Sequence, residues 1–140
     1  MFIDTNILVQ ARILEGPHHQ VALDALDHAR RSGAPLFISR QIIREYLSAL
    51  TRPQSWSSPL TMGAALDDAE QLTAMFTVLE DGPVVMERLF ALCREIPVGG
   101  RQLHDANIVA TMLTHDERQL LTLNTAHFRR YRDLIELVAV

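Results

Sequence analysis

The chain has no lysine. All thirteen of its basic residues are arginine, set against seventeen acidic residues, for a formal net charge of −4. Coating nucleic acid by bulk electrostatics requires a dominant basic surface that releases counterions, so this balance excludes that mode. It leaves open a nuclease, which needs only a local basic rim. Cysteine is nearly absent: Cys93 stands alone, has no internal disulfide partner, and lies among Leu89, Phe90 and Leu92 as a buried thiol would. A reducing compartment is expected. No window approaches eighteen uninterrupted apolar residues, and no basic leader with an apolar run precedes Asp4, so the reading is a soluble, cytoplasmic protein with no membrane span. Glycine-rich phosphate loops of the GxxxxGKS/T or GxGxxG type are missing, which counts against nucleotide binding.

What is present is enough apolar material for a core. At 140 residues and 48% hydrophobic content, one domain spanning residues 1–140 is expected. "FI" at the start reads as a buried strand that ends at Asp4. Residues 16–35 put Val21, Ala22, Ala25, Leu26 and Ala29 at helical spacing, with Pro17 near the start and Gly33 past the end. "PLFIS" is then a strand and "RQIIREYLSAL" a helix, while "TRPQSWSSPLT", with two prolines and three serines, is an internal loop. A helix over about 64–74, a strand "FTVLE", a helix over 84–94 and a glycine-marked loop "IPVGGRQ" follow. "LHDANIVATML" is apolar nearly all round and reads as a buried helix. "QLLTL" is a strand, "NTAHFRRY" a polar turn or short helix, and "IELVAV" a last strand. This alternation predicts an α/β protein with three α/β/α layers around a central, mostly parallel sheet.

In such sheets ligands bind beyond the carboxyl ends of the strands, near the point where strand order reverses. Asp4, Ser39 and Asn124 fall at such ends. Asp4 reads either as a turn former or as chemistry. Asp105 stands in the first turn of an otherwise apolar helix, where it either complements the helix N-terminus or serves a site. Glu45, at about 100° per residue, points away from the stripe of Ile42, Tyr46, Leu47 and Leu50, so periodicity alone makes it an exposed glutamate.

Four segments, "FIDTN", "SRQIIREYLSAL", "LHDANIVATM" and "LLTLNTAHFRRY", together resemble the PIN domain, and within it the VapC-type toxins of bacterial toxin–antitoxin pairs. The resemblance runs in order along nearly the whole chain. It implies a metal-dependent endoribonuclease, with Asp4, Glu45 and Asp105 matching the family's central acidic positions. Three carboxylates in a partly desolvated pocket repel one another unless a cation is present, and oxygen donors suit magnesium or manganese. The fourth position departs from the pattern: Asn124 stands where many relatives have aspartate, leaving one metal or two in question. Thr5 and Asn6 are candidates to hydrogen-bond Asp4. His104 and His127 are candidates for phosphate contact or acid catalysis, and Arg101, Arg129, Arg130 and Arg132 for RNA phosphates. The implied partners are an RNA substrate, a cognate antitoxin and a second copy of the chain, with residues 40–74 and Trp56 offering an apolar surface; Trp56 closing the core is the competing reading. A catalytically weak or inactive RNA-binding module of the same fold is the alternative function, and a nucleotide-binding or phosphatase domain a more remote one.

Overall fold

The computed structural model describes residues 1–138 and 140. Among the described residues five short strands form one parallel sheet: β1 (Phe2–Ile3), β2 (Phe37–Ser39), β3 (Thr77–Leu79), β4 (Gln119–Leu121) and β5 (Glu136–Val138), in the order β3-β2-β1-β4-β5. Among the described residues seven helices flank it: α1 (Thr5–Arg12), α2 (His19–Arg31), α3 (Arg40–Thr51), α4 (Met62–Met75), α5 (Pro83–Glu95), α6 (Gln102–Thr114) and α7 (Thr125–Phe128), the last running into a 3-10 turn at Arg129–Tyr131. The α/β/α architecture read from the alternation of elements is the one observed.

The first strand is the central one. Phe2 and Ile3 are fully buried, as are Ile38 and Leu120 beside them, which is why these strands are continuous apolar runs rather than alternating ones. Chain order runs outward from β1 to β2 and β3, then restarts on the other side with β4 and β5. The reversal falls between β1 and β4. Their register pairs Phe2 with Leu120 and Ile3 with Leu121, so the next residues, Asp4 and Thr122, meet at the carboxyl edge where a ligand crevice is expected.

Helix boundaries follow local chemistry. Gly33, just past α2, has φ +73°, a left-handed conformation that favours glycine at a helix end. Gly100, with φ +56°, makes the turn into α6. Ser39 and Thr61 cap α3 and α4, their side chains accepting from Ile42 N and Ala64 N. α1 packs on α2 and α3, α3 on α4, and α5 on α6. In α6 everything from Ile108 to Leu113 is buried, as the apolar sequence requires, whereas its first turn is exposed.

Three departures from the sequence reading have simple origins. The sequence pattern predicts no element between Asp4 and Gly16, yet Thr5–Arg12 is α1; its consecutive buried residues Ile7, Leu8 and Val9 blur the helical period. Trp56 is half-buried and packs against the core while also reaching the cleft described below, so neither the purely exposed nor the purely buried reading holds. The last strand, read over 135–140, is β5 at Glu136–Val138, and Ala139 lies outside the described residues. No helix among the described residues is long and apolar enough to cross a membrane.

Candidate functional site

A cleft of about 690 Å³ opens at the carboxyl edge of the sheet. Asp4 enters it from the end of β1, Glu45 from α3, Asp105 from α6 and Asn124 from the turn after β4, with His104 and His127 on the same wall. Four separate segments of sequence thus supply the polar groups that line one cavity.

Asp4 is buried and held by its neighbours. Its backbone N–H donates to Leu121 O at 3.0 Å, continuing the sheet. Thr122 Oγ1 donates to Asp4 Oδ2 at 2.6 Å, and Asn6 Nδ2 donates to the same oxygen at 2.7 Å. The Thr122 hydroxyl in turn accepts from Asn6 Nδ2 and from the Asn124 backbone N–H. Among the described residues no other side chain donates to Asp4 Oδ1. Asp4 precedes α1 without a side-chain cap to it; its carboxylate is held across the β1–β4 junction by Thr122 and from the first turn of α1 by Asn6.

Glu45 is half-buried rather than free in solvent. Thr5 Oγ1 donates to its Oε2 at 2.8 Å and Gln41 Nε2 to its Oε1 at 2.8 Å. α3 therefore has two inward faces: Ile42, Tyr46, Ala49 and Leu50 enter the core, while Gln41, Arg44, Glu45 and Ser48 line the cleft. Asp105 is not a helix cap either, since α6 has no side-chain cap at its start. Its Oδ2 lies instead 3.6 Å from His127 Nδ1.

These groups load the cleft with negative charge. Burial is the largest cause that pushes the Asp4 carboxyl up to about 6; the hydroxyl bond from Thr122 opposes it, and the charges of Glu45 and Asp105 raise it further. Asp105 is also raised, first by burial; His127, His104 and Arg130 pull it down, and Glu45 pushes it up. Among the described residues no three acidic, histidine or cysteine side chains close into a ready-made metal cage. The arrangement is an open set of oxygen donors, with Arg44, Arg52 and Arg101 lining the same cavity. That chemistry suits a hard divalent cation completing its shell with water and phosphate oxygens.

Of the residues chosen from sequence, Asp4, Glu45, Asp105, Asn124, His104, His127 and Arg101 line the cleft. Thr5 and Asn6 line it as well, but they divide their bonds: Asn6 serves Asp4 and Thr5 serves Glu45. Ser39 is fully buried and caps α3. Arg129, Arg130 and Arg132 do not line the cleft, although Arg130 is near enough to act on Asp105. The cationic residues that line it are instead Arg44, Arg52 and Arg101, of which Arg44, within a helix, and Arg52, in the loop read over "TRPQSWSSPLT", had no role in the sequence reading. Thr122 and Gln41 were also missed. A threonine ending an apolar strand and a glutamine opening a helix carry no signal that separates them from ordinary structure.

The raised carboxyl of Asp4 has a sign that can be tested. An unfolded aspartate titrates near about 3.9, so the folded chain holds this proton more tightly. The stability it contributes is fully present below the unfolded value and is lost as pH rises through about 6. In EDTA, Asp4→Asn is expected to be more stable than the wild type above neutral pH, by roughly 1 to 3 kcal/mol, with the advantage vanishing toward about pH 4. Thermal melts across that range check it; a pH-independent difference would trace the effect to something other than this ionisation.

Comparison of the whole fold finds close resemblances at low sequence identity. The VapBC2 complex of Rickettsia felis, bound to a DNA fragment from its promoter, aligns with a TM-score of 0.71 and 16% identity over 99% of this chain and 98% of the other. VapC20 of Mycobacterium tuberculosis, a sarcin-ricin loop cleaving toxin, gives 0.63 and 16% over 85% of each chain. A toxin–antitoxin complex from Klebsiella pneumoniae gives 0.59 and 23% over 99% and 95%. These identities establish a shared fold. No curated protein matches the sequence. The family model for the PIN domain matches residues 1–134, and with that coverage the chain belongs to the PIN domain family.

Proposed function

We propose that this chain, as a single domain over residues 1–140, is a metal-dependent endoribonuclease and the toxin of a toxin–antitoxin pair. The observation that carries the reading is the convergence of Asp4, Glu45 and Asp105 on one cleft that also presents Arg44, Arg52 and Arg101. Support for the biological role comes from the fold neighbours, one of which is a sarcin-ricin loop cleaving toxin by its own description and another a toxin–antitoxin complex.

In this reading Asp4, Glu45 and Asp105 are the ligands of magnesium or manganese, with Asn124 as a fourth, neutral oxygen donor at the rim. The cation, when bound, supplies Lewis-acid activation of water and of the phosphodiester and offsets charge on the leaving oxygen. The chain's own residues do the rest. Thr122 and Asn6 fix Asp4 so that its remaining oxygen can face the cleft. Thr5 restrains Glu45 from the side of α1. The three cleft arginines receive the RNA backbone in forked contacts, and His127 beside Asp105 is the candidate to hold a proton near the scissile phosphate. The partners are an RNA substrate, a cognate antitoxin that covers the acidic cleft or its margin, and a second copy of the chain, in the cytoplasm.

Purified protein is expected to cleave RNA with magnesium or manganese and to stop when EDTA is added. Asp4→Asn, Glu45→Gln and Asp105→Asn should each lower the rate on the order of a hundredfold or more while keeping a cooperative melt. Wild-type cleavage by Asp105→Asn in a nuclease-free preparation would refute the site. RNA binding without cleavage would point instead to an inactive module of the same fold.

Asn124→Asp adds a charge to the cleft and is expected to tighten manganese binding while lowering the melting point in EDTA, because like charges then lack their counterion. Calorimetric titration and paired melts read both effects; a variant equal to the wild type in each would remove Asn124 from the ligand set. Light scattering at tens of micromolar is expected to return the mass of a dimer, and a strictly monomeric mass would remove the second copy from the list of partners.

A further inference from the structure

Gln41 is only 5% exposed, and a buried amide is costly unless both of its ends are bonded. Both are. Its Nε2 donates to Glu45 Oε1 at 2.8 Å and to the His104 backbone carbonyl at 2.9 Å. Its Oε1 accepts from Asn107 Nδ2 at 2.7 Å, and that nitrogen also donates to Asp81 Oδ2 at 3.2 Å. A backbone carbonyl only accepts, so the amide nitrogen must face His104 and the amide oxygen must face Asn107. The orientation of Gln41 is thereby fixed from both ends.

The network joins the two helices that carry the acidic residues. Glu45 lies one turn after Gln41 on α3, and Asp105 immediately follows His104 on α6. One nitrogen therefore ties the Glu45 carboxylate to the backbone next to Asp105. Thr5 engages the other oxygen of Glu45, and each carboxylate oxygen keeps a lone pair for another ligand. A neutral amide suits this task. A lysine or arginine at residue 41 would neutralise Glu45, and a carboxylate would repel it.

We infer that Gln41 is a positioning residue that sets the separation between the Glu45 and Asp105 carboxylates, and that Asn107, anchored on Asp81, fixes the direction of the Gln41 amide. The inference rests on the reading of Glu45 and Asp105 as metal ligands. It goes beyond that reading in giving metal affinity to two amides, Gln41 and Asn107, of which Asn107 is not part of the cleft wall.

Gln41→Met keeps the length and flexibility of the side chain without its hydrogen bonds. Asn107→Leu removes the second amide and leaves Gln41 intact. Manganese is titrated calorimetrically into each variant and into Glu45→Gln, and each is melted in EDTA and in excess manganese. Gln41→Met is expected to weaken manganese binding about 10- to 100-fold, to lose most of the manganese-induced rise in melting point, and to need more manganese for half-maximal RNA cleavage while approaching the wild-type kcat at saturation. Asn107→Leu should weaken manganese binding in the same direction but less, and it carries the test alone if Gln41→Met does not fold. A lower melting point in EDTA with manganese affinity within about twofold of the wild type would mean that the amides only satisfy the helix interface, and would overturn the inference. If Glu45→Gln loses manganese in that same experiment, the metal-ligand reading survives the loss. Unchanged manganese binding by Glu45→Gln would overturn both.

Discussion

The hydroxyl of Thr122, donating to the Asp4 carboxylate at 2.6 Å inside the protein, is the contact on which the rest of the site depends. It joins the ends of the two strands where the sheet's order reverses, and so turns a general property of parallel α/β sheets into a specific position for one carboxylate. Without a donor there, a charge buried to this depth would be disfavoured outright. With it, the charge is tolerated and remains aimed at the cleft. Asn6 and the backbone of residues 123 and 124 close around the same hydroxyl and amide, so the turn that carries Asn124 is tied to Asp4 as well.

The electrostatic plan is a centre of one sign inside a margin of the other. Burial and mutual repulsion leave Asp4 and Asp105 both harder to ionise than a free aspartate, while Arg44, Arg52 and Arg101 stand on the same cavity wall. A chain of net charge −4 can therefore still offer a polyanion a cationic approach over a short distance, where screening has least effect. Net charge describes the whole surface, and the cleft is a small, oppositely organised part of it.

How much of this was legible follows from what periodicity measures. Strands β2, β3 and β4 and helices α2 to α6 were visible because each has one dominant apolar face or is apolar throughout. α1 was not, because Ile7, Leu8 and Val9 are buried in succession in a helix that packs on both α2 and α3. Asp4 and Asp105 stood out as charges within apolar sequence. Glu45 did not: α3 presents its second, polar face to the cleft, and averaging over one stripe treats that face as solvent. Only the family resemblance singled out Glu45. Gln41, Asn107 and Thr122 were illegible for a related reason, since the partners that bury them lie 63, 66 and 118 residues away. The arginines expected after β4 were chosen by nearness in sequence to Asn124, and the helical turns of residues 125–131 carry Arg129 and Arg130, and Arg132 after them, off the cleft lining.

The central place of β1 in the sheet also governs when the site can exist during synthesis. Asp4 is made long before the strand that flanks it on one side, which arrives with residues 119–121, and before its hydroxyl donor at Thr122. A nascent chain holding the first three helices has Asp4 and Glu45 yet lacks both β4 and the helix bearing Asp105. The acidic residues are thus kept from their final arrangement by chain order until β4 and Thr122 have been made. A product terminated before β4 would carry Asp4 and its neighbours without the cleft, so a sheet whose middle strand precedes the strands on one side of it assembles this cavity only late in its own synthesis.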